Sequence, residues 1–378
     1  MTYDVGVIGT GDPTDENRYA MAYRHAQGYQ RLDNCSLVAC ADLVSDHARS
    51  FADTFDIPPS GVFEDYERML TAYEIDVLSI CTPPSSHAQI VIDCAETGGV
   101  SAIHCEKPMA RTWSECREMA EVCQRHDVQL TFNHQRRFSR PYQGAKELLD
   151  EGRIGDLQRL EMGGQDLYDY GTHLFDLCGY LTDHAPVEWV LAQVDRRNPS
   201  KLYGLYQETE ALARWRYEGG IDGFASTGEC GFLDCHLRIV GTDGIIEVGS
   251  DGGPPLRIRT NDSGWQHVDT GRDGIWRAGA HPVDRVLGKM PAVPDAFLGK
   301  PTYVERAIEE VVSAIDENRR PVIGADYALR STEVIFACWE SARRGGRVDL
   351  PLEIGDNPLE AMVESEGVAH KPENEVVN

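Results

Sequence analysis

The chain has no apolar run approaching the roughly 20 residues that a membrane-spanning helix needs. Its eleven cysteines include no CxxC pair, which removes the commonest spacing of zinc and redox centres. The amino terminus enters a strand-like run with no basic stretch and apolar stretch ahead of it, so no export signal is expected. Reduced cysteines and a cytoplasmic location follow as expectations. Basic charge is scarce, and lysine is scarcest: Lys107, Lys146, Lys201, Lys289, Lys300 and Lys371 are six of 36 basic residues. A net charge of −26 excludes the basic surface a nucleic-acid partner requires and opposes adsorption to anionic lipid. Strong acidity with few lysines points to adaptation to high salt, where ions screen self-repulsion. An ordinary acidic protein is the plain alternative. Repeats and low-complexity tracts are absent.

What is present is globular. Of 378 residues, 41% are hydrophobic and 26% charged, enough for two domains. The first third alternates apolar runs ("YDVGVIG", "SLVACADL", "IDVLSICTPP", "VSAIHCEKP", "VQLTFNH") with segments of helical spacing. That succession predicts a doubly wound parallel α/β sheet over residues 1–133, because parallel neighbours need crossover connections. Residues 134–351 read differently: two helical segments, then strands joined by Gly-rich turns, which predicts an α+β domain with an open, mainly antiparallel sheet. Residues 352–378 are acidic and poor in aromatics, and read as a loose tail or peripheral arm.

The stretch "GVIGTGDPTDENRYAMAYRHAQGY" begins as a dinucleotide-binding turn. Gly9, Thr10 and Gly11 supply the strand-to-helix turn, and glycine there lets backbone approach a pyrophosphate at the helix N-terminus. The third glycine is displaced by an insertion, and Ala22 of "AYRHA" takes its packing role. The segment "DPTDEN" either folds over a cofactor or faces solvent. Asp42 ends the next strand; its carboxylate suits the ribose hydroxyls of NAD and repels the 2′-phosphate of NADP, which leaves NAD favoured and NADP open. Asp42 as a simple helix cap is the alternative.

"CTPPSSH" (81–87) and "CEKP" (105–108) both follow predicted strands and so fall at the carboxyl edge of the sheet, where ligands bind. With GTG, NHQRRF and DYGTHLFD in that order, the chain resembles the Gfo/Idh/MocA family of NAD(P)-dependent oxidoreductases across about residues 3–350. The resemblance implies a Rossmann domain followed by an α/β domain whose open sheet forms a subunit interface, hence a homo-oligomer. It places Lys107 near nicotinamide and substrate, sets Thr82, Pro83, Pro84, His87 and Glu106 along the dinucleotide, and puts the family's DxxxH pair at Asp169 and His173. One departure is a short connection, "QRLEMGGQDLYDYGTH", where the family often has a long loop. That puts the substrate in doubt, not the hydride chemistry.

On their own chemistry these residues agree. Oxidising an alcohol needs a group titrating near neutrality at the hydroxyl, and histidine is the usual one, so His173 is the expected base. Asp169, four residues before it, is expected on the same helix face, with Asp176 extending that face and Arg137 adding a polar contact for a polyhydroxylated substrate. Lys107 can hydrogen-bond the reacting oxygen, in a role arginine could not fill by deprotonating. Alternatives remain: a surface pair at Asp169 and His173, or a metal held by them with Asp176. No metal is expected, because a nicotinamide cofactor already supplies the redox chemistry. The function expected is NAD(P)-dependent oxidation of a sugar, sugar acid or cyclitol hydroxyl. A retained-NAD enzyme working by transient oxidation and a non-catalytic NAD(H) sensor are the competitors.

Overall fold

In the computed structural model, which describes residues 2–14, 20–229, 231–271, 273–276 and 301–366, the chain divides into two units. One takes in the chain up to Gln135 and a later stretch ending at Ala328; the other takes in the chain from Arg136 and from Leu329 onward.

In the first unit β1 (Tyr3–Ile8), α1 (Met21–Gln30), β2 (Cys35–Ala41), α2 (Ser45–Thr54), β3 (Val62–Phe63), α3 (Tyr66–Ala72), β4 (Val77–Ile80), α4 (Pro84–Thr97), β5 (Ala102–Cys105), α5 (Trp113–Arg125) and β6 (Gln129–Phe132) follow in turn. The strands form one parallel sheet in the order β3-β2-β1-β4-β5-β6. Every residue of β4 and β5 is buried, as expected of parallel strands covered by helices on both faces. α5 begins with a capping box between Thr112 and Glu115, which satisfies two helix-end donors reciprocally. Because all six strands run the same way, the residues after β1, β2, β4 and β5 gather at one carboxyl edge. Those residues are Gly9, Asp42, Thr82 and Lys107.

The second unit holds α6 (Arg140–Asp150), β7 (Leu157–Gly164), α7 (Gly171–Leu181), β8 (Val187–Asp195), a hairpin of β9 (Ser200–Leu202) and β10 (Leu205–Gln207), then β11 (Glu210–Tyr217), β12 (Asp222–Gly228), β13 (Cys235–Gly241), β14 (Gly244–Ser250), β15 (Leu256–Thr260), β16 (Gln266–His267) and β17 (Val348–Asp349). Nine of these strands make one sheet, ordered β16-β15-β14-β13-β7-β12-β11-β8-β17. All its pairings are antiparallel except β7 with β12. Burial alternates along β8 and β11, so one face packs and the other stays open. The open face carries a lattice of ion pairs: Glu247 accepts from Arg238 and Arg257, and Arg238 also reaches Glu161.

Where the sequence suggested a loose tail or a peripheral arm, Pro358–Glu366 form a helix with Leu359, Met362 and Val363 buried, and residues 367–378 lie outside the described residues. Apolar residues one turn apart hold the helix down despite the acidic composition. No helix among the described residues is long and apolar enough to cross a membrane.

Candidate active site

Gly9 and Gly11 both have positive φ, 82° and 65°, a backbone state that side chains disfavour. At Gly9 space forbids a side chain as well: a Cβ would meet the Thr82 methyl at 2.6 Å and the Thr82 nitrogen at 2.9 Å. Asp42 closes the turn. Its Oδ2 accepts from the Gly11 amide at 2.9 Å and the Thr10 hydroxyl at 3.2 Å, while Oδ1 accepts from the Val44 amide. The same carboxylate therefore ties the glycine turn to the backbone just ahead of α2. Ala22 is fully buried in the cluster of Val7, Cys40 and Phe51, the close helix-to-sheet contact a third glycine would make. Among the described residues α1 has no side-chain cap, and its first turn holds no acidic residue, which leaves its amide end suited to a phosphate. A turn closed to a Cβ at Gly9, a carboxylate beside it and a helix end with no described side-chain cap fit a dinucleotide. The insertion is described only to Thr14, where Asp12 accepts from the Thr14 amide and hydroxyl; the rest of "DPTDEN" lies outside the described residues.

Thr82, Pro83 and Pro84 lead into α4, with Pro84 at a first-turn position where a missing N–H costs nothing. His87 does not line a ligand surface. It is fully buried, its Nε2 lies 2.7 Å from the Thr82 carbonyl and its Nδ1 3.0 Å from the Pro108 carbonyl. Burial pushes its pKa down, against the pull of those carbonyls. Its work is to tie the "CTPPSSH" turn to the "EKP" turn.

Glu106 is likewise internal. Its Oε1 accepts from Asn133 at 2.7 Å and lies 2.9 Å from His25 Nε2, and Oε2 accepts from the Lys107 amide. His25 Nδ1 reaches the Ser79 hydroxyl, which also meets Tyr29. Burial would raise the Glu106 pKa, but the hydrogen bonds and the charges of His25 and Lys107 outweigh it and hold the group at about 2. An ionised carboxylate thus fixes the backbone that presents half-buried Lys107. His25, Ser79 and Asn133 were missed as site residues; "AYRHA" displayed the histidine, but its partners are distant in sequence.

In the second unit, Asp169 and His173 do not share a helix. α7 starts at Gly171, and Asp169 lies in the turn ahead of it, where Asp166 accepts from the Tyr168 and Tyr170 amides. His173 is in the first turn and 3% exposed. Arg137 and Asp176 are not open to a substrate either: the guanidinium donates from Nε and Nη2 to both carboxylate oxygens at 2.6 Å. The other arginine of "QRRF", Arg136, pairs with no acid among the described residues, and sequence reading passed over it.

Comparison with known proteins agrees with this architecture. Residues 3–134 match the model of an oxidoreductase family with an NAD-binding Rossmann fold, and residues 155–350 match that family's C-terminal alpha/beta domain. An uncharacterised oxidoreductase, YrbE of Bacillus subtilis, is 26% identical over 52% of this chain, which spans 58% of YrbE. D-apiose dehydrogenase of Paraburkholderia graminis is 25% identical over 86% of each chain. Among solved structures, the WlbA dehydrogenase of Bordetella pertussis, crystallised with NADH and UDP-GlcNAcA, shares the fold at a TM-score of 0.70 and 20% identity, covering 93% of this chain and 100% of its own. The high-salt reading of the charge finds no support in these likenesses. The glycine turn, the strand order and both domain matches lead to one statement: this chain belongs to the GFO_IDH_MocA oxidoreductase family.

Proposed function

We propose that this chain is an NAD-dependent dehydrogenase that oxidises a hydroxyl of a sugar, sugar acid or cyclitol. The observation that carries the reading is the Gly9 cradle, sealed by Thr82 and flanked by Asp42, at the sheet edge that also presents Lys107. When bound, the nicotinamide accepts hydride. The rest falls to protein side chains. Lys107 hydrogen-bonds the substrate oxygen, and the Glu106 network keeps its backbone in place. His173 takes the hydroxyl proton, and Asp169 holds a neighbouring hydroxyl. Asp42 favours NAD, since it would repel a 2′-phosphate. The likeness to a D-apiose dehydrogenase over most of its length supports a sugar-like substrate.

Two further parts of the reading concern setting. The ten described cysteines are free and eight are buried, in keeping with a reducing cytoplasm. The open face of the nine-stranded sheet, with Leu191 and Leu212 about half exposed, would pair with a second copy. The test is NADH formation on a panel of sugars, sugar acids and cyclitols. Turnover of one class supports the reading, and no turnover by NAD-binding protein rejects it.

A further inference from the structure

We propose that Arg136 anchors a carboxylate on the substrate, so that the preferred substrate is a polyhydroxy acid of the aldonate or uronate type and not a neutral sugar. The proposal rests on the dehydrogenase reading above.

Arg136 is 8% exposed, and among the described residues no carboxylate pairs with it. Its Nη1 has no hydrogen-bond partner. A buried cation is ordinarily paired, because leaving it alone forfeits its hydration without return. The neighbouring Arg137 obeys that rule with Asp176. Arg136 instead lies against two rings that also touch each other, with Cζ 4.0 Å from the Trp276 centroid and 4.8 Å from that of Tyr170, the centroids 5.5 Å apart. Contact with the ring faces offsets part of the lost hydration and leaves guanidinium donors free for a ligand.

The nearest polar neighbours are hydroxyl and imidazole groups, with the charges of Asp166 and Asp251 felt at Tyr170 and that of Asp251 at His236. His236 Nδ1 lies 3.1 Å from the Tyr170 hydroxyl and 3.4 Å from that of Tyr142. Burial, and then the Arg136 charge, push the His236 pKa down to about 4, so it adds no second cation at neutral pH. One guanidinium beside hydroxyl and imidazole groups, with carboxylate charges also felt in the cluster, matches no more than a monoanion. A phosphate dianion would keep an uncompensated charge in a buried place. The cage is built for tight fit: a Cβ at Gly164 would lie 2.6 Å from the Tyr170 ring. It also adjoins the proposed chemistry, since Tyr170 sits next to Asp169 and its carbonyl accepts from the His173 amide at 3.3 Å.

The experiment measures kcat/KM with saturating NAD for matched compounds: galacturonate and gluconate, galactose and glucose, and glucose 6-phosphate. A charged hydrogen-bonded anchor predicts about 30-fold or greater preference for an acid over its neutral partner in the wild type. Arg136→Gln should lower the acid's kcat/KM by about the same factor and leave the neutral sugar within a few-fold, with Arg136→Lys intermediate because it restores charge without the fork. A neutral or phosphorylated sugar used as well as the acid overturns the anchor while the dehydrogenase reading stands. If nothing is turned over, the dehydrogenase reading fails, and calorimetric titration of gluconate into the NAD-loaded protein decides the anchor: heat lost in Arg136→Gln supports it, unchanged heat overturns it. The wild-type comparison needs no variant to fold.

Discussion

Arg137 and Asp176 hold each other through two parallel hydrogen bonds of 2.6 Å, with the guanidinium 4% and the carboxylate 1% exposed. Removing one partner strands the other charge in the interior. Arg137→Met should cost about 3–5 kcal/mol in denaturant unfolding, and adding Asp176→Leu should recover much of it. A raised KM with unchanged stability would instead make Arg137 a substrate ligand.

The two loop glycines should respond differently to alanine. Gly9→Ala puts a Cβ against the backbone of a neighbouring strand end, whereas Gly11→Ala meets nothing nearer than 3.8 Å among the described residues and bears there the cost of positive φ. Tryptophan-to-NADH energy transfer should show binding essentially lost in the first. In the second, affinity should fall about tenfold, from roughly 1–2 kcal/mol of backbone strain.

Asp42→Ala should weaken NAD by about 10- to 100-fold, the worth of a hydrogen bond to a charged group. NADP should suffer less or improve, because the repelling charge has gone. Equal losses for both cofactors would mean that Asp42 only orders the turn it closes.

Glu106 gives a pH signature. Its folded pKa of about 2 lies below the ordinary 4.5, so its contribution to stability is complete above about pH 4.5 and is lost as pH falls toward 2. Melting temperature measured from pH 6 to pH 3 should drop, and Glu106→Gln should start lower and fall less across that range. A variant that tracks the wild type in parallel contradicts the assignment.

The parallel sheet was legible because five of its strands are apolar runs between Gly, Pro and Asp. β3 was not, since two residues carry no period. The positive φ of the Gly9–Gly11 turn and the packing of Ala22 were legible, as both requirements are local. Contacts between distant segments were not readable. His25 is visible in "AYRHA", but Glu106 lies 81 residues on. Arg136 and Arg137 are chemically identical neighbours, and partners distant in sequence tell them apart: Asp176, 39 residues on, for Arg137, and the rings of Tyr170 and Trp276 for Arg136. The spacing of Asp169 and His173 suggested a shared helix face; Asp166 holds the amides ahead of α7 and moves the helix start past Asp169. The C-terminal helix could have been found, since Leu359, Met362 and Val363 have helical spacing, but acidic composition drew attention away from it.

The central claim is that Lys107 and His173 manage the proton of an alcohol oxidised by NAD. It is tested most directly by steady-state NADH formation in Lys107→Met and His173→Asn beside calorimetric NAD affinity. The account predicts that kcat falls by about 10²-fold or more in each, the usual range for a lost acid or base, while NAD affinity stays within a few-fold. Turnover near the wild-type rate in either variant would contradict it.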